Sequence, residues 1–375
     1  MVMQADAVIV GNGPTGRLAY RALRDLGLDA VVVAPAPNPG PDPRTTALLP
    51  VSVAALDRLG VDVRPAATPL PELTIQTTGP LGLVSERFSA ADVDSAYLAL
   101  NVPIGDLAAL LPLSDTVEAA TCGIDYAGGR PTVITETGER IGARLVIAAD
   151  GIASPTREAA QIRMHRHPLG LSAYCAPVTL ESAHGGLCIE RYDDVGSVTV
   201  IPVGERSGSL ISIGTTPAVE RLASRQATDI AAAIAGRQPA YGSLKLTGAA
   251  AVFPLSIGWA TSPARRRVVA VGEAAHTVPP IGAQGWNMAV RDVMALHGVL
   301  SETVRVGGDI GSASVLGRYV RNRRTDLVGR ISAVGLLAGV ATNPIAPVQL
   351  ARQIGLGALS RLPGLKRGLM RAGLG

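Results

Sequence analysis

Residues 272–292 read GEAAHTVPPIGAQGWNMAVRD, a stretch that sets a carboxylate, an imidazole, two adjacent prolines and three glycines in front of an apolar-patterned segment. Backbone stripped of side chains lets a large flat group come close, and the prolines hold such a loop in shape. A helix starting near Gly285 to Asn287 would point its positive dipole end at any negative charge that develops on that group. His276 fits two roles, a positioning group for the ligand or a buried, hydrogen-bonded histidine. A second bare stretch, GNGPTG, carries Gly11, Gly13 and Gly16 in a G-x-G-x-x-G spacing. There the glycines allow a tight turn and close backbone approach, and free N–H groups at a helix start bind a pyrophosphate. A third, ADGIASPTR, has Asp150 and Gly151 at a strand end, with Ser154 and Arg157 following; alone it reads first as an Asp-Gly turn.

These loops need elements to hold them. The run Ala7–Val10 before the first glycines, the Ala/Leu/Arg-rich stretch to Leu26 and the run Ala30–Val33 form the start of a βαβ unit. RLVIAADG at 144–151 and RRVVAVGEAAH at 266–276 repeat the pattern of a buried strand ending in glycine. From Thr45 to Leu59 the apolar spacing is helical. Between about 73 and 90, and again from about 170 to 260, short alternating runs such as SVTVIPV and SLISIGTT predict antiparallel strands. The expected fold class is α/β: a Rossmann-like dinucleotide-binding domain interrupted by an antiparallel β-sheet domain, with a C-terminal helical tail. The expected boundaries are 1–72 with 97–165 and 264–300 for the first domain, 73–96 with 166–263 for the sheet domain, and 301–375 for the tail.

Composition removes several functions. The 375 residues are 47% hydrophobic and only 3% aromatic, so a nucleic-acid reader built on stacking aromatics is disfavoured. Cys122, Cys175 and Cys188 form no C-x-x-C pair, which leaves no disulfide framework and no zinc knuckle. The pair His165 and His167 lacks further ligands at metal-binding spacing, so no metal site is expected, and no serine sits in G-x-S-x-G. The Arg265–Arg267 run reads as a solvated edge or as a weak attractor of an anionic nucleotide. The opening residues lack the basic start of a secretory signal, which fits a cytoplasmic protein. After Asp326 the chain holds Arg330, Arg352, Arg361, Lys366, Arg367 and Arg371 and no acid; this tail reads as a packed helix or as a contact with anionic lipid. The acid expected at the end of the second strand, for a nucleotide ribose, is missing, because that strand runs Val31, Val32, Val33, Ala34 and then Pro35.

In chain order, GNGPTG, DPRTTALLPVS, ADGIASPTR and GEAAHTVPPIGAQGWNMAVRD match the motif set of another group of proteins. The sequence resembles the FAD-dependent aromatic hydroxylases, the group A flavoprotein monooxygenases, and among them the ubiquinone-biosynthesis hydroxylases, over the whole chain including LSRLPGLKRGLMRAGLG at its end. That resemblance implies FAD as cofactor and NAD(P)H as electron donor, with one oxygen atom of O₂ entering the ring of a polyprenylated phenol or quinone precursor. It implies that Gly11, Gly13, Pro14, Thr15 and Gly16 hold the pyrophosphate, that Arg44 lies along the cofactor, and that Asp150 and Gly151 serve both FAD and the nicotinamide donor. Gly272 and Glu273 then meet the ribityl chain; Pro280, Gly282, Gln284, Gly285, Trp286 and Asn287 line the isoalloxazine, with His276, Pro280 and Gln284 nearest the chemistry. It further implies a place at the inner face of the membrane and in a biosynthetic complex. Ala34, Glu273, Pro279, Ala283 and Ala289 depart from the family pattern, and they motivate the alternative of a diverged, non-catalytic partner with weakened FAD binding.

Overall fold

The computed structural model describes residues 2–374 apart from 37–39, 41, 342 and 344. Three glycine-ended strands lie side by side and parallel. Met3–Val10 is central, flanked by Arg140–Ala148 on one side and Ala30–Ala34 on the other, with Val268–Ala270 beyond Arg140–Ala148. A parallel sheet is covered on both faces, and Ala7 to Ile9, Val32, Val33, Leu145 to Ala148 and Val268 to Val271 are accordingly buried. Thr116–Glu118 adds a parallel edge strand beside Ala30–Ala34.

Helix Pro14–Asp25, started by a proline at its first position, and helix Gln284–Arg305 cover one face of this sheet. Leu18, Val293, Leu300 and Tyr319 join Ile9 and Leu145 in one core. The segment expected to be helical from Thr45 to Leu59 divides. Thr45–Leu48 is a strand paired antiparallel with Ala99–Pro103, and the helix is Pro50–Arg58. Proline pre-sets the first helical turn while disfavouring helix at the residue before it, so Pro50 marks the true start.

The second sheet has nine strands. Met164–Leu180 runs through its centre between Ser207–Thr215 and Ala251–Ala260, with a register irregularity between Pro168 and Ser172. Side chains alternate across a strand, and the two faces separate accordingly. Tyr174, Ala176 and Val178 pack with Val219, Ile230 and Ile234 of helices Thr216–Ala223 and Ala227–Arg237. Ala173, Cys175 and Ile213 face the other way, with Leu171, Ile211, Phe253 and Leu255.

Most of the described tail is helical: Ala313–Ala341, Ala346–Arg361 and Pro363–Leu374. It is knitted into the hairpin Glu72–Gly79 and Gly82–Ser89. Gln353 donates to the Gly82 carbonyl (2.6 Å) and accepts from the Leu81 N–H (3.1 Å), and Arg352 Nε donates to Thr77 Oγ1 (2.6 Å). Lys366 Nζ lies 2.8 Å from Glu86, and Met370 is buried against Ala90 and Leu98.

Candidate cofactor and substrate site

The site forms at the carboxyl ends of the parallel strands, the end at which open α/β sheets bind ligands. Gly11 follows the first strand at φ +110°, where a Cβ would lie 2.4 Å from the Ala149 carbonyl oxygen; a Cβ on Gly16 would lie 1.9 Å from the Gly11 oxygen. These two glycines close the turn and press helix Pro14–Asp25 onto the sheet. Gly13 differs, because a Cβ there would meet no protein atom within 4 Å, and the same holds for Gly151, Gly282 and Gly285. Gly13 caps the helix without any side-chain hydrogen bond to its first N–H groups. The result is a bare cradle at a positive helix end, suited to a pyrophosphate.

The other predicted residues gather around it. Gly272, at φ +58°, sits where a Cβ would come within 2.9 Å of Thr15 Cγ2, which holds the third glycine turn against the first. Asp150 accepts from the Ser154 hydroxyl and from the Thr156 N–H (3.0 Å), so its carboxylate shapes the turn that carries Gly151. Arg157, buried, ties that turn to the next by donating to the carbonyls of Ile152 (3.1 Å) and Ala274 (3.4 Å).

Glu273, Pro280, Gly282 and Gly285 are exposed along the loop, whereas Pro279 is buried. Asn287 is a clamp. Its amide nitrogen donates to the carbonyls of Ala47 (2.8 Å) and Ala283 (2.5 Å), and its Oδ1 accepts from the Leu49 N–H (3.0 Å). Trp286 packs on the main core. Ala283 holds the left-handed conformation, φ 55° and ψ 28°, at the residue before helix Gln284–Arg305, a geometry that costs a non-glycine residue roughly 1 kcal/mol.

Behind the loop lies a chain of charges that links His276 to Gln284 through four residues outside the expected site set, Asp292, Arg323, Asp326 and Arg330. His276 Nε2 is 2.7 Å from Asp292 Oδ2, which also accepts from the Gly272 N–H (3.0 Å), while Arg323 Nε donates to Asp292 Oδ1 (2.8 Å). Arg323 also pairs with Asp326; Arg330 Nε donates to Asp326 (2.8 Å), and Arg330 Nη1 donates to Gln284 Oε1 (3.1 Å). The far side of Gln284 donates to the Gly282 carbonyl (3.0 Å). Burial pushes the Asp292 carboxyl up, but His276, Arg323 and the Gly272 N–H outweigh it and leave the group below the usual carboxylate range. His276 is buried and bonded to Asp292, a placement compatible with either expected reading. Only the i, i+3 and i, i+4 spacing of Arg323, Asp326 and Arg330 hinted at this ladder in the sequence.

Arg44 joins the loop to the sheet. It forks onto Asp42 (2.6 to 3.1 Å) and stacks over Phe253 at 5.0 Å. Hydrogen bonding to Asp42 raises its pKa against the desolvation of burial, and the Glu273 carboxylate adds to the rise. Beside it, burial pushes the Cys175 thiol up to about 11, so the thiol stays neutral on a sheet face that is apolar apart from the Arg44 guanidinium over Phe253. A flat ring between the loop and this face would be sandwiched by glycine backbone on one side and by Ala173, Cys175, Ile213 and Phe253 on the other. Among the described residues no cluster of His, Cys, Asp or Glu could hold a metal ion. Arg267 of the basic run is not merely a solvated edge, since it forks onto Asp309 at 2.7 and 2.9 Å.

Known proteins agree with this geometry. The family described as "FAD binding domain" matches residues 4–327. Ubiquinone hydroxylase UbiL of Rhodospirillum rubrum is 28% identical over 99% of this chain and 90% of its own length. The 3-demethoxyubiquinol 3-hydroxylase of Escherichia coli is 29% identical over 99% and 98%. In fold, p-nitrophenol 4-monooxygenase PnpA of Pseudomonas putida superposes with a TM-score of 0.81 at 20% identity, covering 100% of this chain and 99% of that one. Klebsiella pneumoniae HpxO, solved with FAD and uric acid, gives 0.79 at 18%, covering 98% and 96%. The open glycine cradle, the free helix start and the apolar face opposite the loop fit FAD, and the chain belongs to the FAD binding domain family as a flavin-dependent monooxygenase.

Proposed function

We propose that this enzyme hydroxylates the aromatic ring of a polyprenylated phenol or quinone precursor in ubiquinone biosynthesis, with NAD(P)H as electron donor and O₂ as oxygen source. The observation that carries the reading is the apolar sheet face of Ala173, Cys175, Ile211, Ile213, Phe253 and Leu255, joined through Arg44 over Phe253 to Glu273 of the bare loop; full-length kinship with two quinone-pathway hydroxylases supports it. FAD bound here supplies the redox chemistry that activates O₂. The protein's own residues do the rest. Gly11, Gly13 and Gly16 receive the pyrophosphate, Gly282 and Gly285 let the ring approach, and the helix start at Gln284–Asn287 favours negative charge at the ring's near edge. The apolar face excludes water and seats the substrate ring. The kinship supports a catalytic protein and not a partner that has lost FAD.

The tail supports a membrane-surface role at the inner face of the membrane. Arg352 and Lys366 are taken up by the fold, but Arg361, Arg367 and Arg371 remain exposed among Leu336, Leu337, Ile354, Leu362, Leu365 and Leu369. Apolar side chains interleaved with arginines favour an anionic lipid surface, where a prenylated substrate and its biosynthetic complex would reside. No single described helix is long and apolar enough to cross a membrane.

The test supplies purified FAD-loaded protein with NADH or NADPH, ¹⁸O₂ and a short-chain prenylphenol. Substrate-stimulated donor oxidation with ¹⁸O in the ring supports the proposal. Donor oxidation that yields only hydrogen peroxide, whatever the phenol, overturns it.

A further inference from the structure

One end of the cofactor site lacks a partner that dinucleotide folds ordinarily supply. The second strand of the βαβ unit stops at Ala34, and its side chain brings no acceptor to the adenosine ribose. The edge strand Thr116–Glu118 lies directly beside it in parallel register, Val32 with Thr116, Val33 with Val117 and Ala34 with Glu118. Both strands end at this pair, at the same edge of the sheet as Gly11, whose N–H donates to the Val33 carbonyl (2.9 Å). Val33 and Val117 pack together on one face of the sheet. Alternation therefore sends Ala34 and Glu118 to the other face, the one that carries helix Pro14–Asp25.

Neighbouring strands are about 4.8 Å apart, so the Glu118 side chain starts one strand over from the missing acid and is one methylene longer than an aspartate. Glu118 is exposed. Other carboxylates near this edge are occupied: Asp115 accepts from Tyr20 (2.7 Å) and Ser114 (2.7 Å), and Asp42 is forked by Arg44. The Glu118 side chain has no hydrogen bond or ion pair among the described residues. We propose that Glu118, at the end of the adjacent edge strand, accepts the 2′-hydroxyl hydrogen bond of the FAD adenosine ribose in place of the acid absent at Ala34. The carboxylate has moved laterally by one strand while the glycine turn that fixes the pyrophosphate has stayed in place.

The experiment strips FAD from the purified protein and titrates wild type and Glu118→Gln with FAD and with its 2′-deoxyadenosine analogue, reading flavin fluorescence. Because Glu118 is exposed at a sheet edge, the apoprotein melting curve of the variant should overlay the wild type. Wild type should bind FAD roughly tenfold or more tightly than the analogue, the loss expected for a hydrogen bond to a charged acceptor. Glu118→Gln should weaken FAD by a similar factor and leave the analogue where it was. Wild-type affinity for FAD in Glu118→Gln, no discrimination against the analogue by wild type, or equal weakening of both ligands by the variant would each overturn the assignment.

Discussion

The three glycines of the first turn make an unusually separable test, because the structure gives each a different surrounding. At Gly13 a methyl group meets no protein atom within 4 Å. Gly13→Ala should therefore leave the apoprotein folded and cost only about 1 kcal/mol, the difference between glycine and alanine at a helix cap. Once the pyrophosphate occupies the cradle, the same methyl overpacks it, a penalty of about 1–3 kcal/mol, or roughly a 5- to 150-fold weaker Kd for FAD. Gly16→Ala is the opposite case. Its methyl would lie 1.9 Å from the Gly11 carbonyl oxygen, backbone against backbone, so the helix must move off the sheet and the apoprotein itself should be destabilised by several kcal/mol. Urea unfolding of the two stripped proteins, paired with FAD titration by flavin fluorescence, separates the cases. A Gly13→Ala protein that binds FAD as wild type does would refute the placement of the pyrophosphate. A Gly16→Ala protein as stable as wild type would refute the packing argument.

Three further outcomes follow from the loop and the ladder behind it. Replacing Ala283 by Gly relieves a left-handed alanine and should raise stability by up to about 1 kcal/mol, read as the urea midpoint of apoprotein; a lower midpoint would count against strain at that position. Asp292→Ala leaves Arg323 and His276 buried without their shared acceptor and should cost about 3–5 kcal/mol. Since the folded pKa of Asp292 is depressed, its contribution is fully present above the unfolded value of about 3.9 and is lost as pH falls through the lower folded value. The gap between wild type and Asp292→Asn in urea midpoints should accordingly hold from pH 7 to about pH 4 and narrow only below; a gap already closed at pH 5.5 would contradict the depressed pKa. Removing residues 363–374 should reduce binding to vesicles of anionic lipid but not to neutral ones, and unchanged sedimentation with anionic vesicles would sink the lipid reading of the tail.

The glycine turns were legible in the sequence because their chemistry is local. Gly11, Gly151 and Gly272 all have positive φ, at +110°, +79° and +58°, and each follows a β-branched or alanine-rich strand. Period alone misled at Thr45 to Leu59, where four strand residues share the apolar spacing of the following helix and only Pro50 marks the change. The Asp292–Arg323 pair could not be read, since its partners are 31 residues apart on two helices and no short-range pattern links them. In the tail, arginine and lysine alternating with apolar clusters read as a packed helix or a lipid contact, without showing which cations the fold takes up. Arg352 and Lys366 instead reach back across more than 270 residues to the first hairpin, a pairing set by how the helices dock rather than by composition.

The order of the strands in the first sheet also bears on how the protein is made. Its centre joins residues 3–10 to 140–148, and those to 268–270, while helix Pro14–Asp25 packs on helix Gln284–Arg305. The strand that carries the first glycines therefore waits, during synthesis, for its partner Arg140–Ala148 to leave the ribosome about 130 residues later, on the order of ten seconds at ordinary elongation rates. In that interval it is paired with Ala30–Ala34 on one side only and its other edge stays open, a condition that invites association with other chains. Capture of nascent chains by holding chaperones should consequently persist until Arg140–Ala148 has emerged, and the flavin can enter only after the loop leading into the helix at Gln284 has been made.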